Sequence, residues 1–332
     1  MSKTRLEVKN FWQKAGAVAI CKYVNSAYVT ISGNTLELKK PKKDVFDSIP
    51  DDELYTANGK PWASNIRPFI KQYPKPEGLN RFFDNVQPGK KYCSYCGRTV
   101  EKTDEDSMIS NPFSVKANNF SNFYAYGYGY KTVCSDCQFL GMMAPLALFY
   151  TTSFSSNDKR ITYIFPEGKT LEETLKIHNW MDSVGAKSAY SNIKLSTKFY
   201  PSQPYETLLM TLYELFKKSR MLFDATYHLI QISDQGRTTT VLVNDSFDSV
   251  KRLQNLFKKL ESLGGQLNDF LDSFIYKEEG KLITEIRERL SQKILKFNDL
   301  ERFIEMSIFK LDYPVKYLHE FMRSYSNQEV GL

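Results

Sequence analysis

Four cysteines stand in two Cys-x-x-Cys pairs, Cys93 with Cys96 and Cys134 with Cys137. Two thiolates three positions apart on a tight turn reach one small ion. Two such turns supply four sulfurs in a tetrahedron, the arrangement of structural Zn²⁺ sites. Gly97 follows the first pair and can take the φ > 0 that a knuckle turn requires. The spacing therefore predicts one structural Zn²⁺ held by Cys93, Cys96, Cys134 and Cys137, with no position left for a substrate. Two disulfides, a redox dithiol and an iron–sulfur cluster are the other chemistries open to these residues. The N-terminal sequence has no secretory pattern, which argues against disulfides. A redox dithiol wants a βαβ context and one pair, not two. Four thiolates alone do not favour a cluster.

Basic residues are the second chemical signal. The net charge of +7 lies wholly before Val100: residues 1–100 carry 17 Lys and Arg against 9 Asp and Glu. Residues 101–244 are neutral and residues 245–332 are nearly so. A localised excess suggests a polyanion contact, and a solvated face is the plain alternative. Lys39, Lys40, Lys42 and Lys43 surround Pro41. Lys90 and Lys91 precede the first cysteine pair, and Arg98 follows it. These seven are the candidate nucleic-acid-binding residues. There are only three histidines, His178, His228 and His319, none in a catalytic spacing, and no phosphate-binding glycine loop. The chain is expected not to be an enzyme and to have no small-molecule substrate.

The elements that would carry these residues read as follows. Leu6 to Val24 predicts a helix, although Gly16 falls inside it. Tyr28–Ile31 and Thr35–Leu38 predict a hairpin about Gly33-Asn34. The stretch from Asp44 to Pro88 is proline-rich, with short helices expected at Val45–Ile49 and Arg67–Gln72. The insert between the cysteine pairs is acidic, then aromatic, and Tyr126 to Tyr130 invites comparison with a base-stacking platform. Gly141 to Tyr150 predicts a buried helix with Pro145 in its first turn. Ile161–Phe165 predicts a strand, Thr170–Val184 and Pro204–Phe223 helices, and Thr226–Ile232 with Thr238–Val243 a second hairpin. From Ser246 onward the apolar period is helical, with Gly264-Gly265 and Gly280 at turns between helices.

At 332 residues, 42% of them apolar, the chain is long enough for two globular parts, and no stretch is long and apolar enough to span a membrane. The fold class predicted is α+β. Residues 1–244 form a mixed domain with β-hairpins and an inserted four-cysteine zinc segment at about 92–141. Residues 245–332 form a helical bundle. A fifth cysteine, Cys21, reads as a core thiol.

The pattern Cys93-Ser94-Tyr95-Cys96-Gly97, a long aromatic insert, then Cys134-Ser135-Asp136-Cys137-Gln138-Phe139-Leu140-Gly141 resembles a CRISPR-associated family named for its two CXXC motifs. The stretch Phe11 to Ile20 resembles the opening helix of that family, and Ile31 to Leu38 the strand pair after it. The resemblance implies a cytoplasmic antiviral-defence protein, the large subunit of a type I CRISPR RNA-guided (Cascade) surveillance complex. Such subunits recognise the short motif flanking a target, aid duplex opening and dock a separate nuclease-helicase. The partners implied are crRNA, target DNA and the other subunits of the complex, with no membrane contact. The alternative is a zinc-stabilised protein-interaction module with no nucleic-acid role.

Overall fold

The computed structural model describes residues 4–49, 79–105, 132–154, 159–183, 203–234, 239–248, 250–311 and 313–329. The helix expected at Arg67–Gln72 and the aromatic run Tyr126 to Tyr130 lie outside them.

The apolar positions from Leu6 onward do not share one helix. β1 (Thr4–Glu7) is a strand, and Asn10 starts a separate helix, α1 (Phe11–Tyr23), by accepting from the Gln13 N–H at 2.9 Å. A short polar side chain outside the first turn satisfies a donor that the helix leaves open. β2 (Val29–Ser32) and β3 (Thr35–Leu38) make the hairpin about Gly33, which sits at φ +60°. β1 adds to it, in the order β1-β3-β2. The lysine run then opens a helix, α2 (Lys42–Asp47), which α3 (Asn80–Phe83) follows among the described residues.

The cysteine lobe is built from very short pieces. β4 (Pro88–Tyr92) pairs with β5 (Thr99–Val100), and β6 (Asp104–Glu105) with β7 (Thr132–Val133). α4 (Ser135–Met143) begins at the second cysteine pair, six residues earlier than the apolar run suggests. Pro145 lies in a 3₁₀ turn, Ala144–Ala147, and Phe149 and Tyr150 belong to strand β8 (Phe149–Phe154). The expected helix over Gly141–Tyr150 is therefore corrected to a helix end, a turn and a strand start.

β8 is one edge of a four-stranded antiparallel sheet, with β9 (Lys159–Glu167), β10 (Thr226–Asp234) and β11 (Thr239–Phe247) in the order β11-β10-β9-β8. Ile161-Thr162-Tyr163-Ile164-Phe165 shows no apolar–polar alternation because both faces of this sheet are covered. Ile161, Tyr163, Phe165, Ile230 and Ile232 face a first core, shared with α1 and α4. Phe149, Ile164, Tyr227 and Leu229 face a second. That second core takes in α5 (Leu171–Ser183), α6 (Pro204–Ser219) and the helices after residue 249. α1 and α4 approach so closely that a Cβ on Gly16 would lie 1.8 Å from the Leu140 carbonyl oxygen. Gly16 is thus a packing requirement rather than a helix weakness.

The C-terminal region is helical, with one interruption. α7 (Val250–Ser262), α8 (Leu267–Asp272), α9 (Glu285–Lys296), α10 (Glu301–Ile308) and α11 (Leu318–Glu329) surround the second core. Gly280 closes a small hairpin, β12 (Tyr276–Glu278) with β13 (Lys281–Ile283), instead of joining two helices. Leu208, Leu212 and Phe216 of α6 pack in one cluster with Leu253, Phe257, Leu290 and Ile294. The core therefore crosses residue 245 without a break. Among the described residues, no helix is long and apolar enough to cross a membrane.

Candidate metal centre

The first cysteine pair sits on the turn between β4 and β5. Gly97 N–H donates to the Cys93 carbonyl at 2.9 Å, and Cys93 N–H to the Arg98 carbonyl at 3.0 Å. Gly97 stands at φ +75°, the left-handed conformation expected of it. The second pair is set by a helix start. Cys134 occupies the cap position of α4 with extended backbone, and Cys137 falls in the first turn. Bonds that join the halves include Ser94 N–H to the Thr132 carbonyl at 2.9 Å, Thr132 Oγ1–H to the Tyr92 carbonyl at 3.1 Å, and Cys134 N–H to Cys93 Sγ at 3.3 Å.

All four sulfurs lie within 4.8 Å of one another and all four residues are buried. Cys93 Sγ is 3.8 Å from Cys137 Sγ, and Cys96 Sγ is 3.9 Å from Cys134 Sγ. A single ion with metal–sulfur bonds of about 2.3 Å requires a tetrahedron with edges of about 3.8 Å. A disulfide requires about 2.05 Å, and the cysteines are unbonded to one another. A polynuclear cluster would push its thiolates further apart than these sulfurs stand. The geometry is that of a site for one ion.

The thiols also divide into acids and acceptors. Hydrogen bonds from Cys134 and Cys137 bring Cys93 down to about 6. The same two, with Cys93 and Arg98, drive Cys96 lower still. Cys137 is pushed up by its bonds to Cys134, Cys93 and Cys96 and by burial. In Cys134 the bond to Cys137 lowers the pKa, but those to Cys93 and Cys96, with burial, raise it on balance. Hydrogen bonds among the sulfurs thus lower two of the four thiols and raise the other two. Cys21 stands apart: expected in the core, it is half-buried against the first core's edge, and burial raises its thiol to about 12.

An outer layer surrounds the sulfurs. Gln13 of α1 donates Nε2–H to Cys137 Sγ at 3.0 Å. Arg98 donates Nε–H to Cys96 Sγ at 3.3 Å and Nη2–H to Cys134 Sγ at 3.8 Å. Burial opposes the charge on Arg98, but its bonds to Cys96 and Asp136 outweigh that and hold its pKa above the ordinary value. Asp136 accepts from Arg98 Nη2 at 2.7 Å and from Lys42 Nζ at 2.8 Å. A chain of alternating charge therefore runs from α2 through Asp136 and Arg98 to two sulfurs.

This placement corrects part of the expected basic face. Lys42 is 1% exposed and is bonded to Asp136, Ser135 Oγ and the Asp84 carbonyl, out of reach of a phosphate. Arg98 is committed to the sulfurs. Lys43 is exposed and pairs with Asp47 at 2.6 Å, while half-buried Lys40 lies 3.7 Å from the Tyr28 ring centre. Lys39 is half-buried, and Lys90 and Lys91 stand exposed on β4. Gln13 and Asp136 are the site residues that sequence reasoning misses, and Lys42 is one to which it gives a different role. Asp136, a charge inside a buried motif, offers a faint signal; Gln13 offers none. Two of the three histidines make internal contacts, while His319 is exposed. His228 Nε2 meets Glu167 at 2.7 Å and its ring stacks on Phe11, and buried His178 Nε2 meets the Ala147 carbonyl at 2.8 Å. Compared with protein-family models and with curated proteins, the chain matches none.

Proposed function

We propose that the chain holds one structural zinc ion and serves as the large subunit of a type I CRISPR RNA-guided DNA surveillance complex. The zinc half is carried by four buried sulfurs at tetrahedral spacing. Zinc suits four thiolates, brings no redox chemistry and leaves no open position. The complex half is supported by the resemblance of Cys93–Gly97, Cys134–Gly141, Phe11–Ile20 and Ile31–Leu38 to the CXXC family. In this reading the chain has no catalytic step of its own. It works in the cytoplasm, reads the motif flanking the target, aids duplex opening and docks a separate nuclease-helicase. Guide pairing supplies the sequence specificity. Lys90 and Lys91, exposed on β4, are the lysines best placed for a phosphate.

The competing reading, a zinc-stabilised protein-interaction module, draws support from the withdrawal of Lys42 and Arg98 from the basic face. One purification separates the two. Tagged protein taken from its own cells is expected to bring one zinc per chain and a repeat-derived guide RNA. Zinc without such RNA favours the interaction module. A Cys96→Ser protein that keeps its full metal content would overturn the zinc assignment.

A further inference from the structure

We infer that Gln13 and Arg98 set how tightly the four-cysteine centre retains its metal; this rests on the zinc reading above. Four thiolates around a divalent ion leave a net charge of about −2 in a site shut off from water. Burying that charge is costly unless donors and countercharges meet it. Among the described residues, each sulfur accepts one N–H. Cys93 takes its own from the Cys134 main chain at 3.3 Å, which no substitution removes. The other three bonds come from just two side chains: Gln13 to Cys137 at 3.0 Å, and Arg98 to Cys96 at 3.3 Å and to Cys134 at 3.8 Å.

The two donors are held in different ways. Arg98 brings a full positive charge, fixed by Asp136 at 2.7 Å. Lys42 compensates Asp136 in turn, at 2.8 Å, so the carboxylate aims Arg98 without adding net negative charge to the lobe. Gln13 brings a dipole from α1, outside the lobe. Its Oε1 accepts from Lys9 N–H at 2.7 Å, which fixes the amide with its N–H₂ toward sulfur. A thiolate that accepts a hydrogen bond keeps its charge while the donor's positive end offsets it, which lowers the cost of holding that charge in the buried site. Outer-layer partners of this kind typically change metal affinity about 10–100-fold. A Gln13 that merely satisfies a buried amide would leave the metal indifferent to its replacement.

The test uses the full chain loaded with Co²⁺, whose spectrum reports on its sulfurs, in competition with a chelator. Folding is checked by circular dichroism. Gln13→Leu is expected to weaken metal about 10-fold or more and to move the sulfur-to-cobalt charge-transfer band to lower energy, because an unbonded thiolate gives up electron density more readily. Gln13→Glu keeps the acceptor for Lys9 N–H but turns a carboxylate on Cys137, and is expected to weaken metal further. Arg98→Lys keeps the charge and loses the fork, so it should be milder than Arg98→Gln. If a Gln13 variant fails to fold, the Arg98 pair decides. A wild-type chain with no tetrathiolate spectrum overturns the zinc reading and this inference together. A wild-type spectrum with unchanged affinity and band position in the variants overturns this inference alone.

Discussion

Lys42 and Lys43 are adjacent in the chain and opposite in environment. Lys42 reaches inward to Asp136, both side chains nearly sealed from solvent, whereas the Lys43–Asp47 pair stands in water. A charge removed from a buried pair leaves its partner uncompensated, which costs about 3–5 kcal/mol. Arg98 remains beside Asp136, so Lys42→Met is expected near the lower end of that range, at about 3 kcal/mol in urea unfolding of the metal-loaded protein. Lys43→Met is expected to leave the midpoint where it was, since exposed pairs contribute little. On the proposed surveillance-complex reading, nucleic-acid affinity should respond in the reverse order, because of the two lysines only Lys43 is exposed. Equal loss of stability in both variants would contradict the assignment of Lys42 to the interior.

At the level of elements, the start of α6 shows a cap supplied from far along the chain. Gln203, at its cap position, makes no side-chain bond to the first turn, its amide donating instead to Thr284 Oγ1. Glu288 of α9 supplies the cap, accepting from Tyr205 N–H at 3.1 Å and Glu206 N–H at 2.9 Å. Burial raises the Glu288 carboxyl from 4.5 to about 7, against the two amides that lower it. The folded state therefore holds this proton more firmly than the unfolded chain. The stability it confers is complete below about pH 4.5 and is lost as pH rises through 7. The difference is worth up to about 3 kcal/mol, and partial exposure trims it. Relative to Glu288→Gln, wild-type protein should lose stability between pH 4.5 and pH 7.5 in parallel denaturant titrations; parallel curves would disprove the linkage. Such a cap is invisible in sequence because its two halves stand some eighty residues apart. What was legible was local: the Gly33 hairpin, the helix start at Thr170, Pro204 opening α6, and the four cysteines with Gly97. The split of Leu6 from α1, the role of Gly16 and the outer layer of the metal site depend on which element packs alongside, and no spacing rule records that.

On the scale of the molecule, one sheet serves two cores. Its first face closes with α1 and α4, its second with α5, α6 and the C-terminal helices. Residues 245–332 consequently lack half the walls of the core they help to line. Expressed alone they are expected to show reduced helicity and no cooperative melt by circular dichroism. A fragment that melts sharply at the full-length temperature would restore a boundary near Asp245. A different consequence follows from the smallest ladder in the protein. β6 and β7 set Glu105 opposite Thr132 and Asp104 opposite Val133, right beside the sulfurs. Paired residues in such a ladder stand about 5 Å apart. Whatever chain departs at Glu105 must come back to that same point, and closing a longer excursion adds cost only logarithmically. The two ends of that excursion are thus fastened side by side next to the four sulfurs.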